Sequence, residues 1–229
     1  MTTKPSRSLG FRYIYEPIGW RLSKLLAKTP ITGNQISIFI MFITLVAYYF
    51  ISIEYIFIGL IILQFVLLLD TMDGTVARIK NQASKKGKFF EAVWHICIFA
   101  LFYFALGVYS YRILNNPNYI IMGGLTATFI LIIDVMFYRH DTTFNIKRAE
   151  EPKHTIIQYI VRWITCPSHV FNYALILAFF NLIHLMVIFY FIIYLLIIIY
   201  KVKIFVLTER GVNKNATNNR RFSQRPKRE

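Results

Sequence analysis

Two long runs of the chain carry almost no charge, and their lengths limit how the protein can fold. Residues 36–69 contain one charged residue, Glu54, and residues 163–200 contain no Asp, Glu, Lys or Arg. At about 1.5 Å of rise per residue, a helix of this length extends roughly 50 Å, whereas the hydrocarbon core of a bilayer is about 30 Å thick. We therefore predict two membrane-spanning helices from each run, with turns near residues 52–55 and 181–184.

Two further apolar segments, at about residues 88–109 and 119–138, raise the prediction to six transmembrane helices. The composition agrees, since 56% of the 229 residues are hydrophobic and 17% are aromatic, which is typical of a polytopic membrane protein. We predict an all-α integral membrane fold. Its parts are a cytoplasmic N-terminal segment with an amphipathic juxtamembrane helix from about Pro17 (1–35), a six-helix transmembrane domain (36–203) and a basic, disordered tail (204–229).

The positive charges are unevenly distributed along the chain. Of the 26 lysines and arginines, 25 lie in the two terminal segments and in the loops after the second and fourth predicted helices, whereas the other connections hold only Arg112. Because Lys and Arg accumulate in cytoplasmic loops, both termini are predicted to be cytoplasmic. Topology thus accounts for the net charge of +15, and no nucleic-acid partner is predicted. The Ile-, Asn- and Lys-rich composition without a targeting peptide favours a bacterial inner membrane.

Four ionisable side chains stand at the ends of two successive predicted spans. Asp70 and Asp73 end the second span, and Glu91 and His95 begin the third. A charged residue at the centre of a span costs roughly 2.5–3.5 kcal/mol, so this cluster needs a reason. Spacings of three and four place each pair on one helical face, and antiparallel helices bring Asp70 to the level of His95 and Asp73 to that of Glu91.

Carboxylates that converge in a medium of low dielectric constant must take up protons or bind cations. Oxygen ligands favour Mg²⁺ or Mn²⁺, and two such ions can stabilise a transferring phosphoryl group. Gly74 and Gly87 leave room for a bulky ligand, while the guanidinium of Arg78 suits a phosphate. These residues predict metal-assisted phosphoryl transfer on a cytoplasmic nucleotide, with a structural ion-pair cluster as the alternative.

The same stretch resembles the signature of the CDP-alcohol phosphotransferase (phosphatidyltransferase) family, D-x2-D-G-x2-A-R-x8-G-x3-D-x3-D. Its first six fixed positions are matched with every spacing kept, by Asp70, Asp73, Gly74, Ala77, Arg78 and Gly87. Residues 32–37, TGNQIS, are similar to the T-P-N-x-[LI]-T that opens the first span in that family. Six spans with cytoplasmic ends also match the family.

The resemblance implies transfer of a substituted phosphate group from a CDP-linked donor, with CDP-diacylglycerol favoured, to an alcohol acceptor with release of CMP. It also implies a homodimer and a site that faces the cytoplasm. Asp70 and Asp73 would be metal ligands. The residues that frame the cytidine diphosphate would be Asn34, Asp73, Gly74, Ala77, Arg78 and Gly87.

The last two positions of the signature depart from the family, because Glu91 and His95 replace two aspartates. Glu91 keeps the charge and is able to ligate a metal. Neutral imidazole can ligate a metal or, at the position of the family's catalytic base, accept a proton from the attacking alcohol. We therefore predict Glu91 and His95 as catalytic residues and as metal ligands.

We expect an active enzyme of phospholipid or related phosphodiester synthesis. The reverse arrangement, in which a water-soluble CDP-alcohol donates to a lipid hydroxyl, uses the same signature. The alternative function is that of a degenerate family member that binds nucleotide or metal without catalysis, as a membrane partner protein or transporter.

Overall fold

A computed structural model describes residues 15–82, 84–143, 160–161 and 163–223 of the chain. Within these ranges the fold is all-helical and contains no strand, as predicted. The elements in chain order are α1 (Glu16–Leu26), α2 (Gly33–Ser52), α3 (Ile56–Ile79), α4 (Lys85–Leu114), α5 (Asn118–Thr143), α6 (Pro167–Phe179) and α7 (Ile183–Ser223).

Five helices of the described part are long and apolar enough to cross a membrane. They comprise α2, α3 and segments of α4, α5 and α7, namely Gly33–Ser52, Ile56–Ile79, Ala92–Leu114, Asn118–Met136 and Ile183–Lys203. One of the six predicted spans, the first half of the run 163–200, is not confirmed. Its residues form α6, whose 13 residues extend about 20 Å. The helix cannot begin earlier because Pro167 occupies its first turn and holds Cys166 in an extended conformation.

The turns predicted inside the two apolar runs are confirmed. One separates α2 from α3 at Glu54 (φ 74°), and the other separates α6 from α7 at Asn181 (φ 56°). Asn81 and Asn115, which follow α3 and α4, also have positive φ. Asparagine enters the left-handed region more readily than most residues, which lets each of these helices end abruptly and the next begin close by.

The helices pack as antiparallel neighbours around two clusters of buried side chains. The larger cluster contains buried side chains from every helix from α2 through α7. Its aromatic members include Phe102, Tyr103, Phe171 and Tyr190. The smaller one lies between α2 and α3, directly beside the predicted site, and consists of Ile36, Ile40, Val66, Leu69, Met72 and Val76.

Helices α4 and α5 meet backbone to backbone at a pair of glycines. A Cβ atom on Gly107 would lie 2.6 Å from the carbonyl oxygen of Tyr119 and 3.0 Å from the Cα of Gly123. A Cβ atom on Gly123 would meet the backbone of α4 equally closely, at 2.7 Å from the carbonyl oxygen of Tyr103. Such small-residue crossings are typical of membrane helices, whose association depends on close packing.

The predicted juxtamembrane helix corresponds to α1, which packs against α3. Gly19 provides the closest approach, since a Cβ atom there would overlap the hydroxyl of Thr71. The Ser23 hydroxyl donates to the carbonyl of Gly19 at 2.6 Å and so remains satisfied in this buried contact. The exposed surface is amphipathic, with Trp20 and Leu25 at 49% and 61% beside the exposed Arg21 and Lys24, as expected for a helix at a membrane surface.

Helix α7 continues past Lys203 to Ser223 and so enters the segment whose composition predicts disorder. A long apolar helix precedes this segment, and an existing helix extends at far lower cost than a new one forms.

We expect Gly107→Ala to destabilise the protein by about 1–3 kcal/mol, because the added methyl group forces two backbones apart. The control is Gly124→Ala in the same crossing region, whose Cβ atom would meet only Phe104 at an ordinary 3.9 Å. Reversible unfolding in mixed micelles measures both. Equal stability of the two variants would contradict the packing described here.

Candidate active site

Asp70 on α3 and His95 on α4 are in direct contact through their side chains. His95 Nε2 lies 3.0 Å from Asp70 Oδ1, and the side chains are 47% and 26% exposed. The antiparallel register of α3 and α4 therefore places the two residues at one level, which confirms their predicted juxtaposition. Through Nε2 the carboxylate holds the imidazole in one orientation, and this orientation directs Nδ1 away from Asp70.

Asp73 lies one turn further along α3 and is only 4% exposed. Its Oδ2 accepts a hydrogen bond of 2.8 Å from the hydroxyl of Ser37 on α2, and its Oδ1 accepts one from the backbone N–H of Gly74. A buried carboxylate requires such donors. Ser37 was not among the predicted site residues, although it is the last residue of the TGNQIS motif.

The start of α2 is held tightly against this turn of α3. A Cβ atom on Gly33 would lie 2.7 Å from the carbonyl oxygen of Asp73 and 2.8 Å from the Cβ of Ala77. Thr32 and Gln35 form a capping box that fixes where α2 begins. Glycine at position 33, where the family pattern has proline, thus permits the approach that brings Ser37 to Asp73.

The remaining predicted nucleotide-binding residues surround the same end of α3. Arg78 is exposed, and its Nη2 donates to the hydroxyl of Thr75 at 3.1 Å. Its Nη1 would lie 3.6 Å from a Cβ atom on Gly74, so the guanidinium lies back along α3. Asn34 Oδ1 lies 3.6 Å from the position of a Cβ atom on Gly87, which places these two predicted residues side by side.

The described residues do not by themselves form a metal site. They contain no group of three His, Cys, Asp or Glu side chains arranged to hold an ion, and the side chain of Glu91 lies outside the described part. Asp70 and Asp73 nevertheless provide carboxylate oxygens on adjacent turns of α3, and this donor chemistry fits Mg²⁺ or Mn²⁺.

Replacing Ser37 tests its role as the support of Asp73. We expect Ser37→Ala to lower the free energy of unfolding by about 1–3 kcal/mol, because a buried carboxylate loses a donor. Ser37→Thr keeps the hydroxyl and should remain close to the wild type. In a double-mutant cycle with Asp73→Ala, which removes the acceptor, additive effects would show that the two side chains do not interact.

A comparison with known protein families identifies one family whose model matches most of the chain. The model of the family described as CDP-alcohol phosphatidyltransferase matches residues 31–208, which include α2 through α6 and the apolar part of α7. No curated protein matches the chain in sequence. Members of the matched family transfer a phosphate-linked group from a CDP-alcohol to an acceptor. Because the match extends over most of the 229 residues, including every predicted site residue, the chain belongs to the CDP-alcohol phosphatidyltransferase family.

Proposed function

We propose that the protein is an active, metal-dependent transferase that uses a CDP-linked lipid, CDP-diacylglycerol, as donor and releases CMP. The acceptor is an alcohol, and the product is a phospholipid or a related phosphodiester. The observation that carries the proposal is the contact between Asp70 Oδ1 and His95 Nε2 at 3.0 Å, within the family signature and one turn from the buried Asp73.

In this mechanism the acceptor hydroxyl attacks the phosphorus that bears the donor's alcohol group. A new P–O bond forms to the acceptor while the bond from that phosphorus to the oxygen of CMP breaks, and CMP leaves with the bonding electrons. His95 accepts the proton of the attacking hydroxyl through Nδ1, while Asp70 orients the ring and stabilises the imidazolium that forms. Glu91, one turn before His95, is the second catalytic candidate.

The metal ligands in this proposal are Asp70 and Asp73, together with Glu91. His95 is the alternative fourth ligand, and in that case Glu91 would have to accept the proton. When bound, Mg²⁺ or Mn²⁺ neutralises the charge of the diphosphate and of the oxygen that leaves with CMP. The role of Ser37 and of the Gly74 backbone N–H is to keep the Asp73 carboxylate fixed in the absence of a cation.

The cytidine diphosphate occupies the end of α3. Arg78 offers a planar, exposed guanidinium to the phosphates, and Gly74 leaves the surface of α3 open beside it. Asn34 and Gly87 complete this face from α2 and α4. We propose that this face is cytoplasmic, that the membrane is a bacterial inner membrane and that the protein acts as a homodimer.

A second candidate function follows from the same contact. An imidazolium beside Asp70 would neutralise the carboxylate without a cation, as in a structural ion pair. The protein would then bind nucleotide or metal as a partner protein without turnover.

Ligand-dependent stability tests the nucleotide site without knowledge of the acceptor. We expect CDP and CMP to raise the melting temperature of the detergent-purified protein in the presence of Mg²⁺ or Mn²⁺, because a ligand that binds only the native state stabilises it. Asp73→Asn should abolish the shift. An unchanged melting temperature with every metal would contradict the proposed site.

Variants of His95 distinguish catalysis from binding. We expect His95→Ala to reduce turnover by roughly 10²–10⁴-fold, the usual contribution of a general base, while the CDP-dependent shift persists. His95→Asp restores the residue that the family signature has and should retain more activity than His95→Ala. Undiminished turnover of His95→Ala would rule out the base role.

A further inference from the structure

The lysine at the end of α3 is bound to a distant part of the chain. Lys80 is the C-cap residue of this helix, and its Nζ donates hydrogen bonds to the carbonyl oxygens of Thr29 and Ile31, the latter at 2.7 Å. Both carbonyls belong to residues 27–32, the connection between α1 and α2. One ammonium group therefore joins the end of α3 to the segment that leads into α2.

The backbone is ordered on both sides of this contact. On the α3 side, the N–H of Gln82 donates to the carbonyl of Ala77 at 2.8 Å, which closes the end of the helix. On the other side, the hydroxyl of Thr29 donates to the carbonyl of Leu26 at 2.7 Å and accepts from the N–H of Ile31 at 3.3 Å. The lysine thus connects two ordered turns, and its hydrogen bonds determine how these turns lie relative to each other.

The connection held by Lys80 continues directly into the start of α2, residues 33–37. This segment carries Asn34, one of the predicted nucleotide-binding residues, and Ser37, whose hydroxyl donates to Asp73. On α3, Asp73 and Lys80 are separated by about 10 Å at the helical rise. A single contact would let the start of α2 pivot against α3, whereas two contacts at this separation fix its direction.

The same hydrogen bonds argue against a direct role of Lys80 in binding phosphate. Its position close to Arg78 makes a second cationic phosphate ligand the alternative to consider. A lysine ammonium has three N–H donors, and here two hydrogen bonds go to carbonyl oxygens. A phosphate at Nζ would approach these oxygens and the negative, C-terminal end of the α3 dipole. These surroundings favour the ammonium itself and disfavour an anion beside it.

From these observations we propose that Lys80 is a positioning residue of the candidate active site, which holds the start of α2 in place through two carbonyls of the preceding connection. This inference rests on the proposed transferase function. Without the two hydrogen bonds the start of α2 moves relative to α3, so that Asn34 is displaced from the diphosphate and Ser37 supports the Asp73 carboxylate less well. The lysine thus acts on nucleotide and metal binding without touching either ligand.

Binding of Mn²⁺ in the absence of nucleotide separates the two roles by the sign of the effect. If Lys80 only adds positive charge near the phosphates, its removal lowers the repulsion of a cation and strengthens Mn²⁺ binding. If Lys80 positions the start of α2, its removal weakens Mn²⁺ binding, because the Asp73 carboxylate loses support from Ser37. Electron paramagnetic resonance of free Mn²⁺ measures metal binding, and thermal stabilisation by CDP measures nucleotide binding.

Three variants in detergent-purified protein make the comparison. Lys80→Met removes the charge and the donors, whereas Lys80→Arg keeps both. Lys24→Met is the charge-matched control, because the ammonium of Lys24 lies over the ring of Trp20 on α1, at 3.5 Å from its centroid. Lys80→Gln, whose shorter side chain does not reach both carbonyls, serves the same test if Lys80→Met does not fold.

We expect Lys80→Met to weaken Mn²⁺ and CDP by about fivefold or more, because hydrogen bonds from a charged donor are lost. Lys80→Arg should recover most of the affinity, and Lys24→Met should stay within about twofold of the wild type. Mn²⁺ affinity that is unchanged or stronger in Lys80→Met would overturn the inference, as would an equal loss in Lys24→Met.

A wild-type protein that binds neither Mn²⁺ nor CDP would contradict the proposed function, and the melting temperatures without ligand then decide on the role of Lys80. If Lys80 and Ser37 hold the same segment, Lys80→Met lowers the melting temperature less in the Ser37→Ala background than in the wild type. Equal shifts in the two backgrounds would overturn the positioning role.

Discussion

The burial of one carboxylate, that of Asp73, determines how α2 packs against α3 at the candidate active site. Asp73 is 4% exposed at the end of an apolar helix, where an unsatisfied charge would be costly. It accepts hydrogen bonds from the hydroxyl of Ser37 and from the N–H of Gly74. Because Ser37 belongs to α2, the two helices must approach closely, and Gly33 permits this approach.

The second carboxylate, that of Asp70, has different surroundings. Asp70 is 26% exposed and contacts an imidazole, whereas Asp73 is 4% exposed and accepts hydrogen bonds from a hydroxyl and a backbone N–H. The two carboxylates therefore differ in their exposure and in their contacts, although they lie one turn apart on α3.

Helix geometry alone was sufficient for some features and insufficient for others. The rise per residue and the antiparallel order of the helices predicted that Asp70 and His95 meet. The lengths of the two uncharged runs predicted the turns at Glu54 and Asn181. The contact of Ser37 with Asp73 could not be derived from helix geometry. Which side of α2 faces α3 depends on the close approach of the two backbones at Gly33, and the sequence pattern does not specify this approach. One of the six predicted spans is not confirmed, because Pro167 interrupts the uncharged run and α6 is left with 13 residues.

The crossing of Gly107 and Gly123 has a consequence for chemistry far from it. Gly107 lies about three turns along α4 from His95, or roughly 18 Å at the α-helical rise. Neither helix can slide there without driving a Cα atom or a carbonyl into its neighbour, so the crossing fixes the axial position of α4 relative to α5. A slip of α4 by one residue against α3 would move His95 by about 1.5 Å, half of its separation from Asp70. Because the crossing joins α4 to α5, such a slip would have to carry both helices together.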